Sequence, residues 1–245
     1  VVVFVTAAFL YLRYAIPQYK AVATMLVQDE SKGSLASELS VFSDLGLLAN
    51  VKSNVDNEIE VIKSRRLIAS AIRDLSLDVS YFSIGRVKSE ELYTNSPVQV
   101  VFSTLSPEFE SQVFSFELSS AKGNRFSLLT SEGDSLGTFT FGTPITFEGS
   151  TFVVLPRDAE RVSKGFRLLV QVTPVATLVE RFKSRLSVVT FGKNTSVIEL
   201  SLVDPVRAKA EDFLNTLIKN YNADAVADKK YVAENTSAFI EERLG

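Results

Sequence analysis

The chain opens on an apolar run, Val1 to Leu12, interrupted only by Thr6, and its first charge is Arg13. The pattern then turns polar through Pro17, Tyr19 and Lys20. A membrane-crossing helix needs about 20 apolar residues. Extended by Tyr14, Ala15 and Ile16, the run approaches that reach when Arg13 snorkels and Tyr11 and Tyr14 occupy the interfacial belt. No initiator Met precedes the run, so the chain is expected to begin inside a hydrophobic segment, with a transmembrane helix over 1–16. The competing reading is a buried N-terminal strand or helix. A cleaved signal peptide is disfavoured, because no A-x-A-like site follows.

Beyond Pro17 the periodicity changes several times. Tyr19 to Gln28 alternates and predicts a strand. Leu35, Leu39, Phe42, Leu45 and Leu48 recur at helical steps and predict a short helix over 35–49, weakened by Gly46. Asn54 to Leu77 predicts one long helix with the stripe Val55, Ile59, Ile62, Ala69, Ile72 and Leu75, capped by Ser53 or Asn54. From about Val98 to Val172 short alternating Phe-rich runs are separated by the turn clusters 121–124, 132–134 and 148–150. This predicts an antiparallel β module, which needs a second layer to bury its Phe faces. Phe166 to Val172 is a further strand.

Helical signals return at Thr173-Pro174. Two strands, 187–191 and 196–203, follow, joined by a turn at 192–194. Asp204-Pro205 repeats the start signal for a helix with the face Val206, Ala210, Phe213, Leu214, Leu217, Ile218 and Tyr221. Asn222 to Asp224 is expected to break it, and a weaker helical pattern runs on to Gly245, where the chain is expected to be cut short. The fold class expected is α+β: a membrane-anchored α/β unit with an inserted antiparallel β module and a C-terminal helical arm. The expected division is 1–16 transmembrane helix, 17–97 first α/β part, 98–165 β module, 166–221 second α/β part and 222–245 arm.

Composition removes several chemistries. The chain has no Cys and no His, so it holds no disulfide, no thiolate or imidazole metal site and no Ser-His-Asp triad. Net charge is −3, which gives no footprint for nucleic acid. No phosphate-binding glycine loop is present: Gly137 and Gly142 have the spacing, but Thr143-Pro144 follow. The acidic pairs Glu108/Glu110 and Glu90/Glu91 read as solvated surface rather than a glycosidase pair. Arg65-Arg66 could bind phosphate or an acidic polymer, but a solvated helix face with local ion pairs to Glu58 or Glu60 is the simpler reading. No catalytic residue, cofactor or metal site is expected.

Several segments resemble one family. Pro17-x-Tyr19 after a membrane helix, leading into a strand, is similar to the chain-length determinant (Wzz-type) domain of bacterial polysaccharide co-polymerases. Asn57-Glu58-Ile59 followed by Lys63-Ser64-Arg65 resembles that family's first long helix. Val197 to Tyr221, with Asp204-Pro205, Ala208, Asn215 and Tyr221, resembles its strand-then-helix segment. The β module resembles the insertion in the version linked to a bacterial tyrosine kinase. The resemblance implies a ring-shaped homo-oligomer on the inner membrane with its bulk in the periplasm. It implies control of chain length and export of exopolysaccharide, capsule or O-antigen by scaffolding. The implied partners are a polysaccharide polymerase, an outer-membrane export channel and, as a further candidate, polysaccharide itself. A second membrane helix and a kinase domain beyond Gly245 are implied as well. Two other classes stay open: a periplasmic adaptor of an export pump, and an extracytoplasmic polysaccharide-binding or hydrolysing domain.

Overall fold

The computed structural model describes residues 2–27, 49–85, 89–192 and 196–244. The helix expected over 35–49 lies outside the described residues but for its last position. The chain divides into two compact units. One comprises residues 1–19, 76–178 and 204–209, and the other 20–75, 179–203 and 210–245.

The N-terminal run forms α1, Val2–Tyr14, a helix of 13 residues. Its apolar side chains are open to solvent, Phe4 at 80 % and Leu12 at 73 %. At about 1.5 Å per residue it is shorter than a bilayer core. No helix among the described residues is long and apolar enough to cross a membrane.

The first unit is built on the Phe-rich strands. They are β2 (Val79–Ser83), β3 (Glu90–Glu91), β4 (Val98–Thr104), β5 (Phe114–Ala121), β6 (Arg125–Thr130), β7 (Ser135–Thr140), β8 (Pro144–Phe147), β9 (Ser150–Pro156) and β10 (Arg167–Val172). They make a six-stranded sheet, β3-β2-β10-β5-β6-β7, and a three-stranded sheet, β4-β9-β8. These strands pair antiparallel throughout their described ladders, with Val170 opposite both Tyr81 and Phe116. Period-2 alternation drives the inward residues together: Phe116, Phe126, Phe152, Val98, Val154 and Val170 form one buried cluster. Phe116 stacks on Phe152, with ring centroids 5.3 Å apart, so the sheets supply each other's second layer.

The turn clusters behave as their composition requires. Gly123, Gly133 and Gly149 have φ of 75°, 95° and 73°, in the left-handed region that favours glycine. Strand β2 was not anticipated, and β10, read as opening the second α/β part, lies between β2 and β5.

The second unit contains β1 (Tyr19–Leu26), β11 (Leu186–Thr190) and β12 (Val197–Asp204) in the order β1-β12-β11. Its helical residues come from α2 (Ala49–Ile62), α3 (Arg65–Asp74), most of α6 (Val175–Arg185) and most of α7 (Arg207–Leu244); two short helices, α4 (Pro107–Ser111) and α5 (Ala159–Lys164), belong to the first unit. The core combines strand residues Ala21, Met25, Ile198 and Leu200 with helix residues Ile62, Leu67, Ile68, Ile72, Phe213 and Leu217. Phe182 stacks on Phe213 at 4.3 Å.

Three expectations are corrected here. The single helix over 54–77 is two helices. The chain leaves helical geometry at Ser64 (φ −63°, ψ 143°), and the Ser64 side chain accepts from the N–H of Leu67 to cap α3. The break shifts the phase of the apolar face, so Leu67 and Ile68 are buried while Ala69 and Leu75 are only half-buried. Ser53 and Asn54 do not cap α2, which already begins at Ala49. Asn222 to Asp224 do not break α7, which runs 38 residues without interruption. Asn and Asp are only weak helix breakers away from a helix end.

Candidate functional site

Some of the motif residues, Glu58, Arg65, Tyr221 and Asp204, fall in two polar clusters, one in each unit. In the second unit, α2, α3 and α7 are stitched by polar contacts. The Tyr221 hydroxyl donates to Glu58 Oε2 at 2.7 Å, joining segments 163 residues apart in sequence. One residue back along α7, the Asn220 side-chain amide donates to Ser70 Oγ at 3.0 Å and to Asp74 Oδ2 at 2.8 Å. Arg66 pairs with Asp224 at 2.7 Å, and Arg65 pairs with Glu180 of α6 at 3.0 Å. The arginines therefore do not pair with Glu58 or Glu60; α3 starts afresh at Ser64 and turns them toward other helices.

The remaining motif residues of this unit frame the seam. Lys63 donates its N–H to Ile59 O at 3.0 Å and closes the last turn of α2. Ser64 is the cap of α3. Asn57 and Asn215 are exposed, and neither is brought to the seam by a described contact. Pro17 lies in the link after α1, and Tyr19, which opens β1, is 43 % exposed.

In the first unit, Asp204 and Lys209 sit at the start of α7. Asp204 Oδ1 accepts from the N–H of Val206 at 2.9 Å, which makes Asp204-Pro205 a helix start with a side-chain cap. Lys209 Nζ lies 3.2 Å from the same oxygen and 2.5 Å from Glu91 Oε2. The Asp204 side chain is fully buried, and those of Lys209 and Glu91 are 11 % and 13 % exposed. Two carboxylates thus converge on one ammonium out of water. Glu91 was read as solvated surface, and that reading is corrected: β3 tucks it under α7. Lys209 was missed. Its signal was a lysine on the apolar side of a helix that is otherwise buried there.

One further group is electrically perturbed. Tyr81, on β2, has its phenol pushed above the ordinary tyrosine range, chiefly by burial; its contacts with the Val100 N–H and the Arg157 guanidinium pull the other way. Arg157 stands 5.9 Å over its ring. Among the described residues no group of three or more acidic side chains could hold a metal ion. Both clusters consist of ion pairs and hydrogen bonds, with Asp224 Oδ2 buried beside Arg66 at ion-pair distance but without a hydrogen bond, an arrangement suited to fixing helices in register.

Residues 1–75 match the family model described as Wzz, chain length determinant protein. That span holds Pro17, Tyr19, Asn57, Glu58, Lys63, Ser64 and Arg65, whereas Asp204, Pro205, Asn215 and Tyr221 lie beyond it. The tyrosine-protein kinase wzc of Salmonella typhi is 27 % identical over 250 residues, covering 99 % of this chain and 33 % of that protein. The wzc kinase of Salmonella typhimurium is 26 % identical with the same coverage. The putative tyrosine-protein kinase AmsA of Erwinia amylovora is 22 % identical, again over 99 % of this chain and 33 % of its own. The chain spans about a third of the length of these relatives. The resemblance read from the motifs therefore holds: residues 1–75 are similar to the Wzz chain length determinant family, and nearly the whole chain is similar to part of Wzc-type tyrosine kinases.

Proposed function

We propose that this chain is the periplasmic part of an inner-membrane polysaccharide co-polymerase, which sets the chain length and export of a surface polysaccharide by oligomeric scaffolding. The observation that carries the reading is the chain length determinant match at residues 1–75, continued by similarity over 99 % of the chain to Wzc-type kinases. The residues themselves favour scaffolding over bond chemistry. The chain offers no His or Cys, and the buried charges at Asp204, Lys209 and Glu91 are consumed in holding α7.

In this reading α1 is the part of a membrane anchor that the chain carries. Its exposed apolar side chains, ended by Arg13 and Tyr14, fit a helix entering lipid. A homo-oligomer on the membrane presents a platform to a polymerase on one side and an export channel on the other. A tyrosine kinase domain follows in the relatives' manner, and catalysis belongs there.

The test is genetic and direct. In a strain lacking the chromosomal copy, the full-length gene restores the normal polysaccharide length ladder, and a version deleted for residues 20–240 does not. An unchanged ladder in the deletion strain overturns the chain-length role. A compartment reporter fused after Gly33 reads the anchor separately: activity of a cytoplasm-only reporter there overturns export of the domain.

A further inference from the structure

The three sheets have six strand edges among the described residues, and four of them are protected against pairing. Edge β3 is two residues long, both glutamates. Edge β7 contains Gly137 at φ 140°, beside a register shift in β6. Edge β8 has four residues and opens on Pro144. On β4, the N–H of Val100 is taken by the Tyr81 hydroxyl. Short length, charge, proline and bulges are the devices by which proteins prevent edge-to-edge association.

The remaining two edges, β1 and β11, belong to one sheet and, apart from Lys20 near the start of β1, carry none of these devices. Strand β1 runs eight residues, YKAVATML, with no proline and no charge after Lys20. Strand β11, LSVVT, has no charge, proline or glycine. Val27 N–H donates to Ser196 O, and Phe191 N–H donates to Val197 O, both at 2.9 Å. Successive residues of a strand direct their backbone groups to opposite sides. Even-numbered residues therefore direct theirs outward: Val22, Thr24 and Leu26 on β1, Val188 and Thr190 on β11. These rows pair with no strand among the described residues, and beside them stand exposed apolar side chains, Val22 at 52 % and Leu26 at 66 % on β1, and Val189 at 48 % and Phe191, just after β11, at 66 %.

We infer that β1 of one copy pairs with β11 of the next, so that the three-stranded sheet continues from subunit to subunit. This rests on the oligomer reading given above. The two edges are opposite sides of one sheet, so the contact is head-to-tail and closes into a ring when the rotation allows. Strand β11 is antiparallel to β12. The end of β1 meets the start of β12, so β1 is antiparallel to it as well. Strands β1 and β11 therefore run the same way, and rotated copies join them as a parallel pair. The pairing satisfies the outward backbone groups and buries Val22, Leu26, Val189 and Phe191 against like neighbours.

The experiment uses the full chain in detergent, where the lack of cysteine makes engineered thiols unambiguous. Thr24→Pro removes an N–H that points away from β12, so the sheet within one chain keeps its bonds. The expected result is loss of the oligomer by light scattering, with circular dichroism and the unfolding midpoint unchanged. The double variant Thr24→Cys/Val189→Cys, treated with a short bismaleimide, is expected to give a ladder of cross-linked multimers that neither single variant gives. If Thr24→Pro fails to fold, the cysteine pair decides alone. An oligomer that survives Thr24→Pro, with no ladder from the double variant, overturns the edge pairing and leaves the oligomer reading standing. A parent chain that is monomeric throughout overturns both.

Discussion

The hydroxyl of Tyr81 accepts a hydrogen bond from the backbone N–H of Val100 at 2.8 Å, and this bond ties the six-stranded sheet to the outer edge of β4. Both groups are buried, Tyr81 at 4 % exposure and Val100 at 5 %. Tyr81→Phe keeps the ring and removes the acceptor, leaving a buried N–H without its partner. The expected cost is about 1–3 kcal/mol, measured by urea unfolding. An unchanged midpoint would show that water or another carbonyl replaces the phenol.

The same residue sets a pH dependence. Burial raises the Tyr81 phenol above its ordinary value, so between that value and the folded one the native chain holds a proton that the unfolded chain has released. The native state then binds more protons, and stability falls as pH rises. The contribution is fully present below about pH 10, the unfolded tyrosine value, and is lost above it. In Tyr81→Phe the alkaline loss should be shallower than in the parent. Equal slopes for the two chains in denaturant titrations at about pH 9 and about pH 11 would exclude Tyr81 as the source.

Lys209 neutralises buried charge at the start of α7. Lys209→Ala would leave Asp204 and Glu91 facing each other without the ammonium, and removal of one partner from a buried pair costs about 3–5 kcal/mol. Glu91→Gln removes the surplus negative charge and keeps Lys209 on Asp204, so it should cost much less. The order of the two midpoints is the measurement. If Glu91→Gln is the worse variant, the ion pair with Glu91, rather than that with Asp204, holds the helix.

How far the sequence carried the fold follows from the range of each interaction. Strand β1, the β11–β12 pair and the start of α7 were legible, because alternation and the Asp204-Pro205 cap act within a few residues. The turns at Gly123, Gly133 and Gly149 were legible for the same reason. The break at Ser64 was not, because Ile62 and Ala69 happen to fit one helical stripe across it. Leu67 and Ile68, three and four residues after Ser64, were the signal for a new helix with a new phase. Strand β2 was hidden by its length, although Val79 and Tyr81 alternate inward with Ser80 between them. The seam and the buried triad were beyond reach: Glu58 meets Tyr221 across 163 residues and Glu91 meets Lys209 across 118. The motif spacing marked Glu58 and Tyr221 as family residues without indicating that they touch.

The Ser64 break makes a paired prediction on α2 and α3. Ile62 is 1 % exposed, so Ile62→Ala should cost about 2–5 kcal/mol through lost burial and the cavity left behind. Ser64→Ala removes the cap bond to Leu67 N–H and should cost about 0.5–2 kcal/mol. Chemical-shift helicity of residues 65–68 should fall in Ser64→Ala and stay unchanged in Ile62→Ala. The reverse pattern would mean that packing, not the cap, starts α3.

Arg65 offers the test that separates folding from assembly. It pairs with Glu180 at 3.0 Å, but the two side chains are 74 % and 57 % exposed. Such a pair contributes about 0–1 kcal/mol to folding, so Arg65→Glu should move the unfolding midpoint little. A like-charge contact at an interface costs far more, because it is desolvated there. If Arg65 stands at a subunit contact, Arg65→Glu should weaken the oligomer and shift the polysaccharide length distribution without abolishing synthesis. The swap Arg65→Glu/Glu180→Arg restores the pair within one chain. Recovery of the oligomer by the swap would mean that the pair acts by orienting α3 against α6. Continued loss, with a normal unfolding midpoint, would place the Arg65 charge itself against a neighbouring subunit. If Arg65→Glu leaves both the oligomer and the ladder unchanged, Arg65 is a solvated helix charge and assembly runs through other surfaces.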